Sequence, residues 1–331
     1  MSAMIDGYDV AFFDLDGVIY LGPNAVDGVP DGVAALRERG VRTVFVTNNA
    51  ARPAQTVIDQ LRQIGYPCEF DDIITSAQAS ASYLQRVLPA GSRVMVAGTQ
   101  NLVDEVTNAG FVIAADADDS PDAVIQGYDP NLLWSRLDQA GYAIQEGARW
   151  FATNTDANRP TERGLVPGVG AAIDAVGSTV SFRPTIIGKP YAPMMEEAVR
   201  RTGAEHPLFV GDRLDTDIAG AVGVGMDSFL VFTGAHGKHE LVRAEASERP
   251  TSIGWSVASL LEPPRVAAVS GRSATCGGAT VTAQPDGTAT VEGDLGTQSA
   301  QFDALWALCQ LSWSGLVTDP DAVLDRLELI P

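Results

Sequence analysis

Residues 10–18 read Val-Ala-Phe-Phe-Asp-Leu-Asp-Gly-Val, and this stretch decides the fold. Its first four residues form an apolar run, which predicts a strand that is buried on both faces of a parallel sheet. Asp14 and Asp16 stand at the carboxyl end of that strand, and Gly17 follows them. Because ligands bind at this edge of open α/β sheets, the two carboxylates indicate a functional site. The alternative is an ordinary strand followed by an Asp-Gly turn.

Three later segments favour the functional interpretation, because each is an apolar run that ends in polar side chains. The first run ends in threonine and asparagine, the second in an isolated lysine, and the third in a group of carboxylates. The segments are Val44-Phe45-Val46-Thr47-Asn48-Asn49, Ile186-Ile187-Gly188-Lys189-Pro190 and Leu208-Phe209-Val210-Gly211-Asp212-Arg213-Leu214-Asp215-Thr216-Asp217.

The ends of these strands are expected to gather carboxylates, one ammonium group and small hydrogen-bond donors at one sheet edge. Like charges at close range repel one another, and a divalent cation relieves that repulsion. Oxygen ligands without histidine favour Mg²⁺ over zinc. The alternative is an ion-pair network around the lysine, but one lysine does not balance four acids. The candidate residues are Asp14, Asp16, Thr47, Asn48, Lys189, Asp212 and Asp217.

The order of these motifs, D-x-D-G, T-N, K-P and G-D-x-x-x-T-D, resembles that of the haloacid dehalogenase superfamily of phosphohydrolases. The resemblance implies that Asp14 attacks phosphorus and becomes a transient aspartyl phosphate. Asp16 then protonates the leaving oxygen and later activates water. The resemblance also implies a Mg²⁺ ion held by the carboxylates of Asp14 and Asp212 and by the backbone carbonyl of Asp16.

The same resemblance implies roles for the remaining motif residues. Thr47 and the backbone N–H of Asn48 would bind phosphoryl oxygens, and Lys189 would neutralise their charge. Asp217 would orient a water on the metal, or Lys189, without binding the metal itself.

Residues 151–170 contain the pattern T-N-x-D-x-x-x-P, a later glycine and P-G-x-G. This pattern resembles a segment of the p-nitrophenyl phosphatases and phosphoglycolate phosphatases, a branch that carries a cap domain between the second and third motifs. In such enzymes the cap selects the leaving group, which implies that Asn154, Asp156 and Arg159 contact the substrate. The alternative is a loop stabilised by Asx hydrogen bonds, with a solvated arginine.

Strand and helix patterns alternate along the chain and predict an α/β protein with a doubly wound, Rossmann-like parallel sheet. A second α/β pattern interrupts this core and predicts the inserted cap domain. After Glu262-Pro263-Pro264 a hairpin pattern and an amphipathic helix at residues 302–311 predict a small α+β extension. The predicted boundaries are core residues 1–83, cap residues 84–184, core residues 185–262 and extension residues 263–331.

The chain has 331 residues and a formal net charge of −20, with 42 acidic against 22 basic residues. A protein with this negative net charge repels phosphate backbones and anionic lipids, so neither nucleic acid nor a membrane is an expected partner. The N-terminal residues lack a basic, apolar leader, and no apolar run reaches about 18 residues, so a cytoplasmic location is expected. The three cysteines have no metal-binding spacing and are expected to be small buried residues.

The family resemblance implies an enzyme, a phosphoric monoester hydrolase that acts on small phosphomonoesters, because a closed cap leaves little room. Glycerol 3-phosphate is the first expected substrate, by resemblance to bacterial relatives that carry an extra C-terminal piece. Phosphoglycolate, pyridoxal phosphate and sugar phosphates are alternatives. A different class of function is a non-catalytic phosphate-ligand binding protein, or a partner-docking module that acts through the extension. Family resemblance also allows a homodimer.

Overall fold

The structure, a computed structural model, describes residues 2–161 and 163–331. It is a mixed α/β structure, which confirms the predicted fold class. The strands are β1 (Val10–Phe13), β2 (Tyr20–Leu21), β3 (Asn24–Ala25), β4 (Arg42–Thr47), β5 (Ile73–Thr75), β6 (Arg93–Ala97), β7 (Val112–Ala114), β8 (Ala123–Gln126), β9 (Arg149–Ala152), β10 (Asn158–Thr161), β11 (Gly164–Pro167), β12 (Thr185–Ile186), β13 (Pro207–Gly211), β14 (Asp227–Val231), β15 (Ser252–Gly254), β16 (Ala268–Ser270), β17 (Ser273–Cys276), β18 (Ala279–Ala283) and β19 (Ala289–Glu292).

Helices connect most of these strands. They are α1 (Val29–Glu38), α2 (Ala54–Gln63), α3 (Ser76–Val87), α4 (Gln100–Asn108), α5 (Trp134–Gln145), α6 (Val169–Gly177), α7 (Ala192–Thr202), α8 (Ala219–Gly223), α9 (Lys238–Val242), α10 (Gln298–Trp313) and α11 (Asp321–Leu324). No helix in the two described ranges is long and apolar enough to cross a membrane.

The chain divides into two compact units. The first comprises the residues up to Val44 together with Ile64–Tyr66 and Ala204–Pro331, and the second comprises Phe45–Gln63 and Pro67–Gly203. Strand β4 therefore contributes residues to both units. The domain boundaries predicted after residues 83, 184 and 262 stay predictions.

The sheet of the first unit consists of parallel strands in the order β15-β14-β13-β1, and the first residues of β4 continue it. All four residues of β1 are buried, as the apolar run predicts. The register pairs Val10 with Pro207 and Phe13 with Val210, so β1 and β13 run side by side. Because these two strands end together, the residues that follow them leave the sheet at the same edge.

The C-terminal extension packs within this first unit. Strands β16 to β19 form an antiparallel sheet in chain order, and α10 packs against β17 and β18. The buried side chains of the extension share one hydrophobic core with Leu230, Phe232 and Leu241, which precede it in the chain. The ring of Phe302 in α10 meets that of Phe232 edge to face, with 5.0 Å between the centroids. The extension therefore completes the core of the unit that contains β1 and β13.

The second unit contains a sheet of five parallel strands in the order β12-β9-β8-β6-β7. Its core includes Met95, Val124 and Trp150 of the strands and Ile173 of α6. The indole N–H of Trp150 donates to Gln126 Oε1 over 2.7 Å, so its one polar atom is satisfied inside this core. In the same unit the last residues of β4 pair in parallel with β5.

All three cysteines are buried and none forms a disulfide. Burial raises the pKa of the Cys276 thiol to about 11, and burial likewise raises the pKa of Cys309. A thiol held in its neutral form is a poor nucleophile and a poor metal ligand. These observations agree with the predicted role of the cysteines as small buried residues.

Replacing Phe302 by alanine tests whether the extension belongs to the core of the first unit. The variant removes a ring buried between the extension and Phe232, so the free energy of unfolding should fall by about 3–5 kcal/mol in urea denaturation. The control is Phe70→Ala, which removes the same side chain where it is 53% exposed. That change should lower the free energy of unfolding by less than about 1 kcal/mol. Equal small losses in both variants would contradict the shared core.

Candidate active site

Three carboxylates meet at the sheet edge of the first unit. Asp14 follows β1, Asp212 follows β13, and Asp217 lies in a single π-helical turn at Leu214–Ile218. One carboxylate oxygen from each aspartate lies within 4.8 Å of the other two. The backbone N–H of Asp14 donates to the carbonyl of Val210 over 3.0 Å, which fixes Asp14 beside the end of β13. We call these three aspartates the acidic cluster.

The acidic cluster has the chemistry of a site for a hard divalent cation. Asp212 and Asp217 are 3% and 0% exposed, and Asp14 is half-buried, so water screens their mutual repulsion poorly. The cluster offers carboxylate oxygen and, among the described residues, contains neither histidine nor cysteine. A set made only of carboxylate oxygens suits Mg²⁺ or Ca²⁺ better than zinc. The residues present therefore fit the predicted metal.

Backbone groups hold Asp212 on two sides. A Cβ atom on Gly234 would lie 1.9 Å from Asp212 Oδ2, and one on Gly17 would lie 2.3 Å from the same oxygen. The N–H of Ala235 donates to that oxygen over 2.7 Å. Thr233 Oγ1 donates to the carbonyl of Gly17 over 2.6 Å and so joins the two backbone segments. The carboxylate thus occupies a slot that exists only because both flanking residues lack a side chain.

Asp16 differs from Asp14 in its surroundings. It is exposed, whereas the intervening Leu15 is 1% exposed and packs in the core. The chain turns directly after Asp16, where Gly17 has a φ of +86° and its N–H donates to the carbonyl of Tyr20 over 2.9 Å. Within the described ranges Asp16 adds no carboxylate oxygen to the acidic cluster. An exposed carboxyl group can exchange its proton with solvent, as a general acid and base must.

Thr47, Asn48 and Lys189 lie in the second unit, where the structure brings them together. The N–H of Lys189 donates to Asn48 Oδ1 over 2.8 Å, and Asn48 Nδ2 donates to the carbonyl of Lys189 over 3.1 Å. Lys189 is 3% exposed, and its Nζ donates to the carbonyl of Val46 over 3.4 Å. Thr47 is buried, and its Oγ1 accepts a hydrogen bond from the N–H of Asn49. These contacts fix the lysine and the loop after β4 relative to each other.

Asn154 and Asp156 lie next to this group in the second unit. Asn154 is 4% exposed, its Nδ2 donates to the carbonyl of Asn48 over 2.8 Å, and its Oδ1 accepts from the N–H of Asp156. Asn48 Nδ2 also reaches Asp156 Oδ1, over 3.5 Å. Asn154 therefore shapes the loop that carries Asn48. The predicted contacts of Asn154 and Asp156 with substrate stay predictions.

Arg159 is exposed at the start of the β10–β11 hairpin. Its guanidinium carbon lies 4.8 Å from the ring centroid of Tyr128. A guanidinium at this distance from an aromatic ring makes a cation–π contact, which helps to orient the Arg159 side chain. Its predicted contact with substrate stays a prediction.

Comparison with known proteins identifies the family. A family model described as haloacid dehalogenase-like hydrolase matches residues 11–112, and a second, described as HAD-hydrolase-like, matches residues 186–260. The D-glycerol 3-phosphate phosphatase of Mycobacterium tuberculosis is 39% identical over 269 residues, which are 81% of this chain and 75% of that protein. The chain belongs to the haloacid dehalogenase-like hydrolases.

A second relative of this haloacid dehalogenase-like hydrolase has a different substrate in its name. The acid sugar phosphatase of Staphylococcus aureus is 34% identical over 229 residues, which are 69% of this chain and 87% of that protein. Together these matches confirm the predicted family and the predicted class of enzyme, a phosphoric monoester hydrolase.

Solved structures extend the similarity to the fold. A glycerol phosphate phosphatase from Mycobacterium tuberculosis, solved in complex with magnesium, matches with a TM-score of 0.85 at 33% identity, over 99% of this chain and 100% of that chain. A p-nitrophenyl phosphatase from Archaeoglobus fulgidus matches with a TM-score of 0.72 at 28% identity, over 77% of this chain and 98% of that chain. The fold that the motifs predict is therefore confirmed.

The sequence motifs did not identify the segment that holds Asp212. Thr233, Gly234 and Ala235 follow β14, and none of them was among the candidate residues. A signal was present, because threonine and glycine follow the apolar run 229–232, as Thr47 and Asn48 follow the apolar run 44–46.

A methyl group at position 234 tests the slot around Asp212. Gly234→Ala places a Cβ where the carboxylate lies, so the carboxylate must move by about 1 Å or more, and turnover should fall by at least about 10²-fold. The assay is phosphate release from p-nitrophenyl phosphate. The control is Gly223→Ala in α8, where a Cβ meets nothing within 4 Å, and this variant should keep its activity. Unchanged turnover in Gly234→Ala would show that the slot does not matter.

Proposed function

We propose that this protein hydrolyses glycerol 3-phosphate to glycerol and phosphate in a Mg²⁺-dependent reaction. The choice of glycerol 3-phosphate as the substrate rests on the extent of the structural similarity. The glycerol phosphate phosphatase matches nearly the whole chain, extension included, whereas the match to the p-nitrophenyl phosphatase is about a fifth shorter. The 39% identity to a D-glycerol 3-phosphate phosphatase supports the same substrate.

The acidic cluster and the magnesium in the solved relative support Mg²⁺ as the cofactor. The carboxylates of Asp14 and Asp212 would hold the ion, together with the backbone carbonyl of Asp16. Asp217, whose carboxylate lies within 4.8 Å of those of Asp14 and Asp212, would orient a water on the ion or Lys189. When bound, the ion supplies positive charge that neutralises the oxygens of the transferred phosphoryl group.

In the first half of the reaction Asp14 acts as the nucleophile. One of its carboxylate oxygens forms a bond to phosphorus while the bond between phosphorus and the ester oxygen breaks. Asp16, in its protonated form, gives its proton to the departing oxygen, so that glycerol leaves as the alcohol. The phosphoryl group then resides on Asp14 as an acyl phosphate.

In the second half water attacks the phosphorus of the acyl phosphate. Asp16, now a carboxylate, takes a proton from this water, and the bond between phosphorus and Asp14 breaks. Inorganic phosphate leaves, and both aspartates return to their starting protonation states. The exposure of Asp16 supports this double role, because the group must gain and lose a proton in every cycle.

Thr47, Asn48 and Lys189 are the proposed phosphoryl-binding residues. Hydrogen bonds between Asn48 and Lys189 hold these two residues in place before substrate arrives, and groups fixed in advance need little reorganisation during the reaction. Lys189 supplies the positive charge. Asn154, Asp156 and Arg159 are the proposed contacts to the leaving group, and the N–H donors of a guanidinium suit the hydroxyl oxygens of glycerol.

A sugar phosphate is the second candidate substrate, because the acid sugar phosphatase of Staphylococcus aureus is 34% identical to this chain. Phosphoglycolate and pyridoxal phosphate complete the set to be tested. A non-catalytic phosphate-binding role has less support, since Asp14, Asp16, Lys189 and Asp212 are all present. A cytoplasmic location and a homodimer stay predictions.

Phosphate release from a panel of phosphomonoesters tests the proposed reaction. The panel contains glycerol 3-phosphate, phosphoglycolate, pyridoxal phosphate, sugar phosphates and p-nitrophenyl phosphate. We expect glycerol 3-phosphate to be preferred by about 10²-fold in kcat/KM. Excess chelator should abolish turnover, and added Mg²⁺ should restore it. Preference for a sugar phosphate would favour the second candidate, and release that persists in chelator would contradict the role of the metal.

The covalent step is tested by Asp14→Asn, which keeps the shape of the side chain but removes its nucleophilic charge. Turnover should fall to the background rate, while the circular dichroism spectrum and the melting temperature indicate a folded protein. Asp215→Asn is the matched control, because Asp215 is a half-exposed carboxylate that pairs with Arg213 near the cluster. Loss of an exposed pair changes stability by at most about 1 kcal/mol and should leave turnover intact. Residual activity in Asp14→Asn well above background would falsify the aspartyl phosphate.

A further inference from the structure

Lysine is rare in this chain and one of its two lysines has no role in the proposed reaction. Of the 22 basic residues only Lys189 and Lys238 are lysine, and all the others are arginine. Lys238 opens α9, where its Nζ donates to the carbonyls of Leu327 over 2.6 Å and Ile330 over 2.8 Å. Its backbone N–H donates to the backbone oxygen of Pro331 over 2.8 Å. One residue thus makes three hydrogen bonds to a segment that lies about ninety positions later.

That segment, residues 325–331, is called the tail segment below, and the extension holds it firmly. Leu327 and Ile330 are 0% and 2% exposed and belong to the hydrophobic core of the first unit. The N–H of Leu329 donates to Gln301 Oε1 over 2.8 Å, which ties the tail segment to α10. The carbonyls that Lys238 meets are therefore fixed by a buried element.

Residues 233–237, called the Asp212 loop below, lie directly before Lys238. Besides the bond from Ala235 to the carboxylate, the N–H of His236 donates to the backbone carbonyl of Asp212 over 3.1 Å. The tail segment lies against the other end of this loop, because a Cβ atom on Gly237 would lie 2.7 Å from the backbone oxygen of Pro331. The loop is thus bonded to Asp212 at one end and to the extension at the other.

We propose that the extension positions Asp212 by holding the Asp212 loop through Lys238 and the tail segment. Lys238 is a positioning residue in this arrangement, since it acts on Asp212 through the loop. The expected effect on the affinity for Mg²⁺ rests on the proposed function. The expected effect on the order of the Asp212 loop does not rest on it, because that effect concerns hydrogen bonds within the first unit alone.

A lysine side chain suits the contact at position 238. An ammonium group is a compact charge with three donors that can turn toward two carbonyls at once, whereas the guanidinium group of arginine is a flat, rigid fork. Burial lowers the pKa of Lys238, and the carboxylates of Asp325 and Glu328 raise it, so the tail segment also helps to keep the ammonium charged. Without the ammonium group two carbonyls of the tail segment lose their donor.

Hydrogen exchange of the metal-free full chain tests the order of the loop in Lys238→Met. The methionine keeps the length and apolar stem of the side chain but removes its donors. Amides of residues 233–237 should exchange about tenfold faster than in the wild type, because the loop opens more often. Unchanged exchange in a folded Lys238→Met protein would overturn the proposal.

Calorimetric titration with Mg²⁺ provides the second measurement. The Kd for Mg²⁺ should rise about tenfold in Lys238→Met, the size expected when support for a metal ligand is removed. The control is Arg243→Met, at the residue that follows α9, which removes an exposed ion pair with Asp321 of the extension and a hydrogen bond to the carbonyl of His239. Both contacts lie outside residues 233–237. This variant should change neither exchange nor affinity. An equal effect of Arg243→Met would show that general loosening of the extension is the cause and would overturn the role of Lys238.

Ile330→Ala keeps the test informative should Lys238→Met fail to fold. It weakens the tail segment without touching Lys238 and should change exchange and affinity in the same direction. No change in a folded Ile330→Ala protein would overturn the proposal. If the wild type binds no Mg²⁺, the proposal that Mg²⁺ is the cofactor is wrong. The exchange experiment would still test whether the extension holds the Asp212 loop.

Discussion

Mutual repulsion among Asp14, Asp212 and Asp217 is the constraint on which the rest of the first unit depends. Their carboxylate oxygens lie within 4.8 Å of one another, and two of the side chains are almost completely buried. Placing like charges where water screens them poorly raises the free energy of the folded state. The parallel pairing of β1 with β13 and the backbone around Asp212 hold the carboxylates there nevertheless. A site built in this way gains stability when a divalent cation binds, and its ligands are fixed in advance of the reaction.

The meeting of Asp14 and Asp212 could be predicted from sequence because it depends on strand ends. An apolar run of four residues identifies β1, a parallel neighbour places Asp14 and Asp212 at one edge, and oxygen ligands indicate the metal. Asp217 was also predicted to lie at this edge, and the structure brings it there through a π-helical turn rather than directly from a strand end.

Contacts between distant parts of the chain account for what the sequence could not show. Asn154 bonds a backbone carbonyl 106 positions earlier, and Ala235 bonds a carboxylate 23 positions earlier. Helix α10 was predicted to be amphipathic, yet Ala304 to Cys309 are six consecutive buried residues, so every face of the helix is covered. The apolar pattern of a helix records one buried face, whereas the extension packs α10 between its own sheet and the core that precedes it. The extension is therefore part of the unit that carries the acidic cluster.

Anomalous scattering from crystals grown with Mn²⁺ in place of Mg²⁺ tests the central claim most directly. Mn²⁺ accepts the same oxygen ligands and is visible by its own signal. The account predicts one strong anomalous peak among the carboxylates of Asp14, Asp212 and Asp217. The absence of a peak there, at a Mn²⁺ concentration that supports phosphate release in solution, would contradict it.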